Sequence, residues 1–154
     1  MVSPAVSRTR GTVLVVEDSA EVQRYLRILL ELDRYQVETA NTGDEALQRL
    51  RDGCTPIIVL LDMQMPGMNG LETLQSMRKL RPELKVIMCS GVDDPDIVRQ
   101  AILLGAQSYL VKPVQHLYLS AAVGRCLAGE TGKEVDADPR ARVITLPPPS
   151  CRPN

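Results

Sequence analysis

The sequence predicts a doubly wound α/β fold: one open, five-stranded parallel sheet with helices on both faces. Three observations predict it. Five short runs rich in β-branched residues occur at 12–17, 36–40, 57–62, 85–90 and 108–111. Each is followed by a stretch with helical spacing or helix-capping residues. The third run, PIIVLLD (56–62), has no polar alternation, as a central strand buried on both faces requires.

Taken in order, the first strand leads into Val22, Tyr25, Leu26 and Leu29, which fall at i, i+3, i+4 and i+7 and predict a helix with those side chains inward. After the second strand, Thr42-Gly43-Asp44-Glu45 is a capping-box pattern, and Gly53 suits the position just past the helix end. After the third, Asn69 can cap a helix that turns Leu71, Leu74 and Met77 inward. Arg78 and Lys79 suit its negative end, and Pro82 follows. After the fourth, Asp94 and Pro95 read as cap and first helical residue, with Gly105 closing the helix. Pro113 marks the start of the fifth helix. Right-handed crossovers leave two strand orders open, 2-1-3-4-5 and 3-2-1-4-5.

Of 154 residues, 44% are apolar and 24% charged, which fits one ordinary globular domain with short flanks. Residues 1–10 form a polar, basic leader expected to be flexible. The domain occupies 11–129, and 130–154 is a proline-rich tail expected to be mobile, with a polyproline II piece at 147–149. Residues 142–146 are its only apolar patch; docking as a strand or binding a partner is the alternative to the expected mobility. Eighteen basic against nineteen acidic residues give a net charge of −1, so no global field draws the chain to nucleic acid or an anionic membrane. The longest apolar run, 57–61, is too short to span a bilayer, and residues 1–10 lack the apolar core of a signal peptide. Cys54, Cys89, Cys126 and Cys151 form no C-x-x-C pair and read as reduced thiols of a cytoplasmic protein. With no Trp, no Phe and four Tyr, a base-stacking platform is not expected.

Sites in such sheets form beyond the carboxyl ends of the strands. The first strand ends in Glu17-Asp18, the third in Asp62, the fourth in Ser90-Gly91 and the fifth in Lys112-Pro113. The second ends in Ala40-Asn41-Thr42, without a reactive group. In order 2-1-3-4-5, Glu17, Asp18 and Asp62 would converge. Clustered carboxylates repel and raise one another's pKa, and a hard divalent cation such as magnesium offsets that directly. Ser90 adds a hydroxyl and Lys112 an ammonium suited to phosphate. Together they describe a pocket for a phosphoryl group, in which an Asp carboxylate can be the nucleophile that forms an aspartyl phosphate.

VLVVEDS (13–19), LLDMQMPGMNG (60–70), MCSG (88–91) and GAQSYLVKP (105–113) resemble the receiver domain of two-component response regulators, the flavodoxin-like (CheY-like) fold. The resemblance covers about 11–129, and the combination D-x-x-M-P-x-M-N-G with a distant K-P is highly specific. It implies strand order 2-1-3-4-5 and phosphorylation of Asp62 by a histidine kinase or histidine phosphotransfer protein. It implies Mg2+ (or Mn2+) held by Asp18, Asp62 and the carbonyl of Gln64, with Glu17 acting through water. Ser90, Lys112 and the N–H groups of Gln64 and Gly91 would bind the phosphoryl oxygens. Ser90 and Tyr109 would form the switch, Tyr109 turning inward on activation. The output would be a protein contact, and the face made by the fourth helix, fifth strand and fifth helix could serve a partner or a homodimer. Beyond residue 129 no helix-turn-helix, nucleotide motif or zinc ligand set appears, so a stand-alone receiver is expected. Three departures stand out: the acidic pair is Glu17-Asp18, a common variant, Ser90 replaces the commoner Thr, and Val114 stands where Phe is frequent; Gln64 and Val92 occupy positions that, in the family, tune acyl-phosphate hydrolysis.

Plainer readings compete residue by residue. Asp62 alone could be a turn residue, Glu17 or Asp18 a helix cap, Ser90 the partner of a local backbone donor, and Tyr109 ordinary packing. The joint pattern with Lys112 favours the phosphoryl site. His116, the only His, is expected on the surface near the start of the fifth helix, too isolated to ligate zinc. Met63, Met65 and Met68 read as a soft loop lining, not a copper site. The fifth helix has few charges, which suits either deep burial or a partner face. A flavin carrier of the same strand order would need a Ser/Thr/Gly-rich loop where Glu17 and Asp18 stand. A D-x-D phosphatase would need Asp at Gln64. A degenerate receiver acting only as a binding module is the remaining alternative, and the intact acid set disfavours it.

Overall fold

A computed structural model describes residues 9–91, 93–129 and 143–144. Five parallel strands, β1 (Thr12–Val16), β2 (Gln36–Ala40), β3 (Ile58–Asp62), β4 (Val86–Ser90) and β5 (Ser108–Val111), alternate with five helices. These are α1 (Ala20–Leu32), α2 (Gly43–Arg51), α3 (Gly70–Leu80), α4 (Pro95–Leu103) and α5 (His116–Ala128). The sheet order is β2-β1-β3-β4-β5-β6, so the order with β1 beside β3 is the one adopted. The sixth member, β6 (Val143–Ile144), runs antiparallel to β5, with Tyr109 opposite Ile144 and Leu110 opposite Val143. The apolar patch of the tail thus contributes a two-residue strand. The other residues of 130–154, and those of 1–8, lie outside the described residues.

Alternate side chains of each strand enter opposite halves of the core. Leu14, Val16, Val59 and Leu61 pack with α2, α3 and α4 through Leu47, Leu74, Met77 and Val98. Val13, Val15, Ile58 and Leu60 pack with α1 and α5 through Leu26, Leu30, Leu119 and Val123. All five residues of β3 and of β4 are buried, as the unbroken apolar run of β3 requires.

Helix starts follow the capping residues. Thr42 accepts from Glu45 N, and Asn69 with Glu72 forms a full capping box. Asp94 accepts from Asp96 N, with Pro95 at the first helical position. Two local expectations shift. Tyr25 is half-exposed rather than inward, and Leu30 takes its place in the core. The Tyr25 hydroxyl donates to the carbonyl of Val114, 2.6 Å away, which keeps the ring at the helix edge. The last helix begins at His116, not Pro113, because Val114 turns into the core and Gln115 keeps extended backbone at φ −94°, ψ 144°. The Lys112–Pro113 peptide bond is cis.

Candidate functional site

The carboxyl ends of β1, β3, β4 and β5 meet at one corner of the sheet. Register places Val16 beside Leu61, Asp62 beside Cys89 and Ser90 beside Val111. Glu17 and Asp18 follow β1, Asp62 ends β3, Ser90 ends β4 and Lys112 follows β5. One carboxylate oxygen from each of Glu17, Asp18 and Asp62 lies within 4.8 Å of the others. Glu17 and Asp62 are 3% and 5% exposed, whereas Asp18 faces solvent. Lys112 Nζ stands 2.6 Å from Glu17 Oε1 and 3.3 Å from Asp62 Oδ1.

The charges explain the titration. Burial pushes the Glu17 carboxyl above its usual range; Asp62 adds to that, while Lys112 and the Ser19 N–H oppose it. Burial pulls the Lys112 ammonium down, but its hydrogen bond to Glu17 and the Asp62 and Glu17 charges outweigh that, leaving its pKa raised. Two sunken carboxylates and a third at the mouth thus outnumber one cation. Carboxylate oxygens are the preferred ligands of hard divalent cations, so these three residues can hold one.

The rest of the predicted set surrounds this cluster. The backbone N–H of Gln64 donates to Asp62 Oδ1 at 3.3 Å. Gly91 is exposed at the rim, with nothing within 4 Å of where a Cβ would stand. Ser90 is fully buried and hydrogen-bonds the Tyr109 hydroxyl. Tyr109 is itself fully buried, and burial raises its pKa. Tyr109 thus lies inward, against Ser90. Val92 lies outside the described residues.

Several supports carried no sequence signal. Glu17 Oε2 accepts from Ser19 N at 3.0 Å while the Ser19 hydroxyl caps α1, so one turn fixes both acid and helix. Gln23 reaches the Glu17 carbonyl and Asn41 Oδ1, tying the ends of β1 and β2. A Cβ on Gly70 would stand 2.6 Å from both the Asp62 carbonyl and Met63 Cα, so only glycine lets α3 start against the acid loop. Such contacts join residues with no shared local pattern, and only the folded backbone exposes them.

The remaining candidates fall elsewhere. His116 is half-exposed at the first turn of α5, 3.0 Å from Asp33 Oδ1, and Ser120 donates to the same carboxylate. Met63 and Met65 are buried beside the acid loop. Cys89 and Cys126 are buried free thiols, pushed by desolvation up to about 12 and about 11. Leu119, Ala122, Val123 and Cys126 bury one face of α5, while Leu117 stays exposed. Among the described residues, no helix is long and apolar enough to cross a membrane.

Residues 13–124 match the family model for the response regulator receiver domain. The chain is 35% identical over 104 residues to the chemotaxis protein CheY of Thermotoga maritima, covering 67% of this chain and 86% of that protein. It is 40% identical over 111 residues to a CpxR-homologous transcriptional regulatory protein of Haemophilus influenzae, covering 72% of this chain but 48% of that one. It thus spans most of a CheY and about half of that longer regulator. A receiver domain protein from Clostridium thermocellum superposes with a TM-score of 0.72 at 32% identity, covering 77% of this chain and 95% of the other. CheY in a CheX–CheY–BeF3–magnesium complex from Borrelia burgdorferi gives 0.70 at 27%, covering 73% and 85%. With the parallel order 2-1-3-4-5, the acid cluster and Lys112 at its carboxyl end, and this match across most of its length, the chain belongs to the response regulator receiver domain family of two-component systems.

Proposed function

We propose that this chain is a phosphorylation-controlled switch in which Asp62 accepts a phosphoryl group from a phosphohistidine on a histidine kinase or phosphotransfer protein. The observation that carries this is the nearly buried Asp62 carboxylate at the end of the central strand, beside Glu17, Asp18 and the Lys112 ammonium. An Asp62 oxygen attacks phosphorus, the P–N bond to the donor imidazole breaks, and that nitrogen keeps the electron pair and takes a proton. The product is a mixed acyl phosphate on Asp62.

Asp18, Asp62 and the Gln64 carbonyl would hold magnesium or manganese directly, and Glu17 through water. Such an ion neutralises negative charge on the transferring oxygens. Lys112 supplies a second positive charge, and Ser90 with the N–H groups of Gln64 and Gly91 supplies hydrogen-bond donors. Catalysis here is limited to the chain's own phosphorylation and its hydrolysis.

Ser90 is bonded to Tyr109, so an incoming phosphoryl group competes for that hydroxyl. This competition links Asp62 to β5 and the face it shares with α4 and α5, where a protein partner or a second copy reads the state. A near-complete switch requires about 5.5 kcal/mol of differential stabilisation.

Incubation with acetyl phosphate and Mg2+, followed by intact mass measurement, tests the reading. One phosphoryl group should appear on the native chain, none on Asp62→Asn and none with chelator. Phosphorylation that persists in Asp62→Asn would place the acceptor elsewhere.

A further inference from the structure

The two sheet edges are protected differently. β2 carries outward-facing Gln36 and Glu38, and a charged edge discourages pairing with another strand. β5, Ser108-Tyr109-Leu110-Val111, has neither charge nor proline, and its first three residues are buried. Such an edge is a ready template for an added strand. In this chain it is taken by Val143 and Ile144, opposite Leu110 and Tyr109.

The sequence around those two residues suits that role. Residues 140–146 read RARVITL, between Pro139 and Pro147. Val, Ile and Thr favour extended backbone, and proline lacks the N–H a ladder needs, so the flanking prolines limit the added strand to this segment. Thirteen residues separate Gly129 from Val143. At roughly 3.3–3.6 Å each they reach about 45 Å, ample to return from the end of α5 to the edge of β5.

We propose that the outer edge of β5 is a docking site for an extended, β-branched, proline-bounded peptide, and that residues 140–146 are its tethered occupant. A protein partner with a strand of this chemistry reaches the edge only by displacing the tail. Tethering supplies an effective concentration in the millimolar range, so a short segment holds the edge and still releases it to a tighter strand. Since Tyr109 lies in β5 and bonds Ser90, occupancy of the edge bears on the strand that carries the switch residue.

Hydrogen exchange read by mass spectrometry on the full chain tests this, comparing the native sequence with Val143→Pro/Ile144→Pro. The expected result is about tenfold faster exchange of amides in Ser108–Val111 in the variant, with β1 and β3 unchanged. Acetyl-RARVITL-amide, added at about 10 mM to exceed the tethered concentration, should restore protection, and RARPPTL should not. Equal exchange in both chains, deprotection spreading to β1 and β3, or failure of RARVITL to restore protection would each overturn the proposal. So would restoration by RARPPTL. Protection of the native chain that fades on about hundredfold dilution would assign the pairing to a second copy instead, and would also overturn it.

Discussion

Lys112 Nζ bonds Glu17 Oε1 at 2.6 Å across a sequence separation of 95 residues, and the same nitrogen lies 3.3 Å from Asp62 Oδ1. One ammonium after β5 therefore ties together the ends of β1 and β3. Because Glu17 is almost wholly buried, this contact has structural as well as chemical weight.

Lys112→Met should leave the Glu17 and Asp62 carboxylates without their cation. Removing one partner of a largely buried pair costs about 2–3 kcal/mol, discounted for the partial exposure of Lys112. Urea unfolding without divalent metal should show the midpoint falling; an unchanged midpoint would remove the pair from the stability account.

Asp62→Asn should act in the opposite direction under the same metal-free conditions. It relieves repulsion with Glu17 and should add about 1 kcal/mol, or roughly 4 °C in Tm for a domain of this size. Millimolar Mg2+ should raise the Tm of the native chain and close that gap. Calorimetry with and without chelator measures both effects.

The pH dependence follows from the shifts. The raised pKa of Lys112 gives stability fully present below the ordinary 10.5 and lost as pH rises through its folded value. Native protein should therefore lose its advantage over Lys112→Met in that alkaline range. The raised pKa of Glu17 also gives stability that is present below the ordinary 4.5 and lost as pH climbs through the folded value. Against Glu17→Gln, the native chain should lose ground in mildly acidic solution, the reverse of an ordinary salt-bridged carboxylate. Urea midpoints across both ranges check the two signs.

Tyr109→Phe removes the hydrogen bond to Ser90 and leaves a buried hydroxyl short of that partner, costing about 1 kcal/mol. Tyr109 should also titrate above the ordinary 10.0. The chain has no Trp, so difference absorbance between native and Tyr109→Phe reads that titration directly.

Gly70→Ala should destabilise by about 1–3 kcal/mol, because the new methyl meets the backbone of Asp62 and Met63 at 2.6 Å. Gly124→Ala, on the exposed side of α5 with nothing within 4 Å, should stabilise by about 0.5–1 kcal/mol. Thermal unfolding of the pair separates close approach from helix propensity.

The sequence by itself determined the alternation of elements, most helix starts and the residue types at the strand ends. These depend on neighbours a few positions away: Asn69 with Glu72, Asp94 with Pro95, the unbroken run before Asp62. It also determined the family through its spaced motifs. The family resemblance implied the strand order 2-1-3-4-5, which the sheet adopts; tertiary structure decided that Tyr25 turns outward to Val114 and that Tyr109 lies inward on Ser90. It decided too that Glu17 bonds Lys112 and that Val143 and Ile144 cover the edge of β5. Each is a contact between distant segments, and its free energy depends on burial and approach that no local pattern encodes.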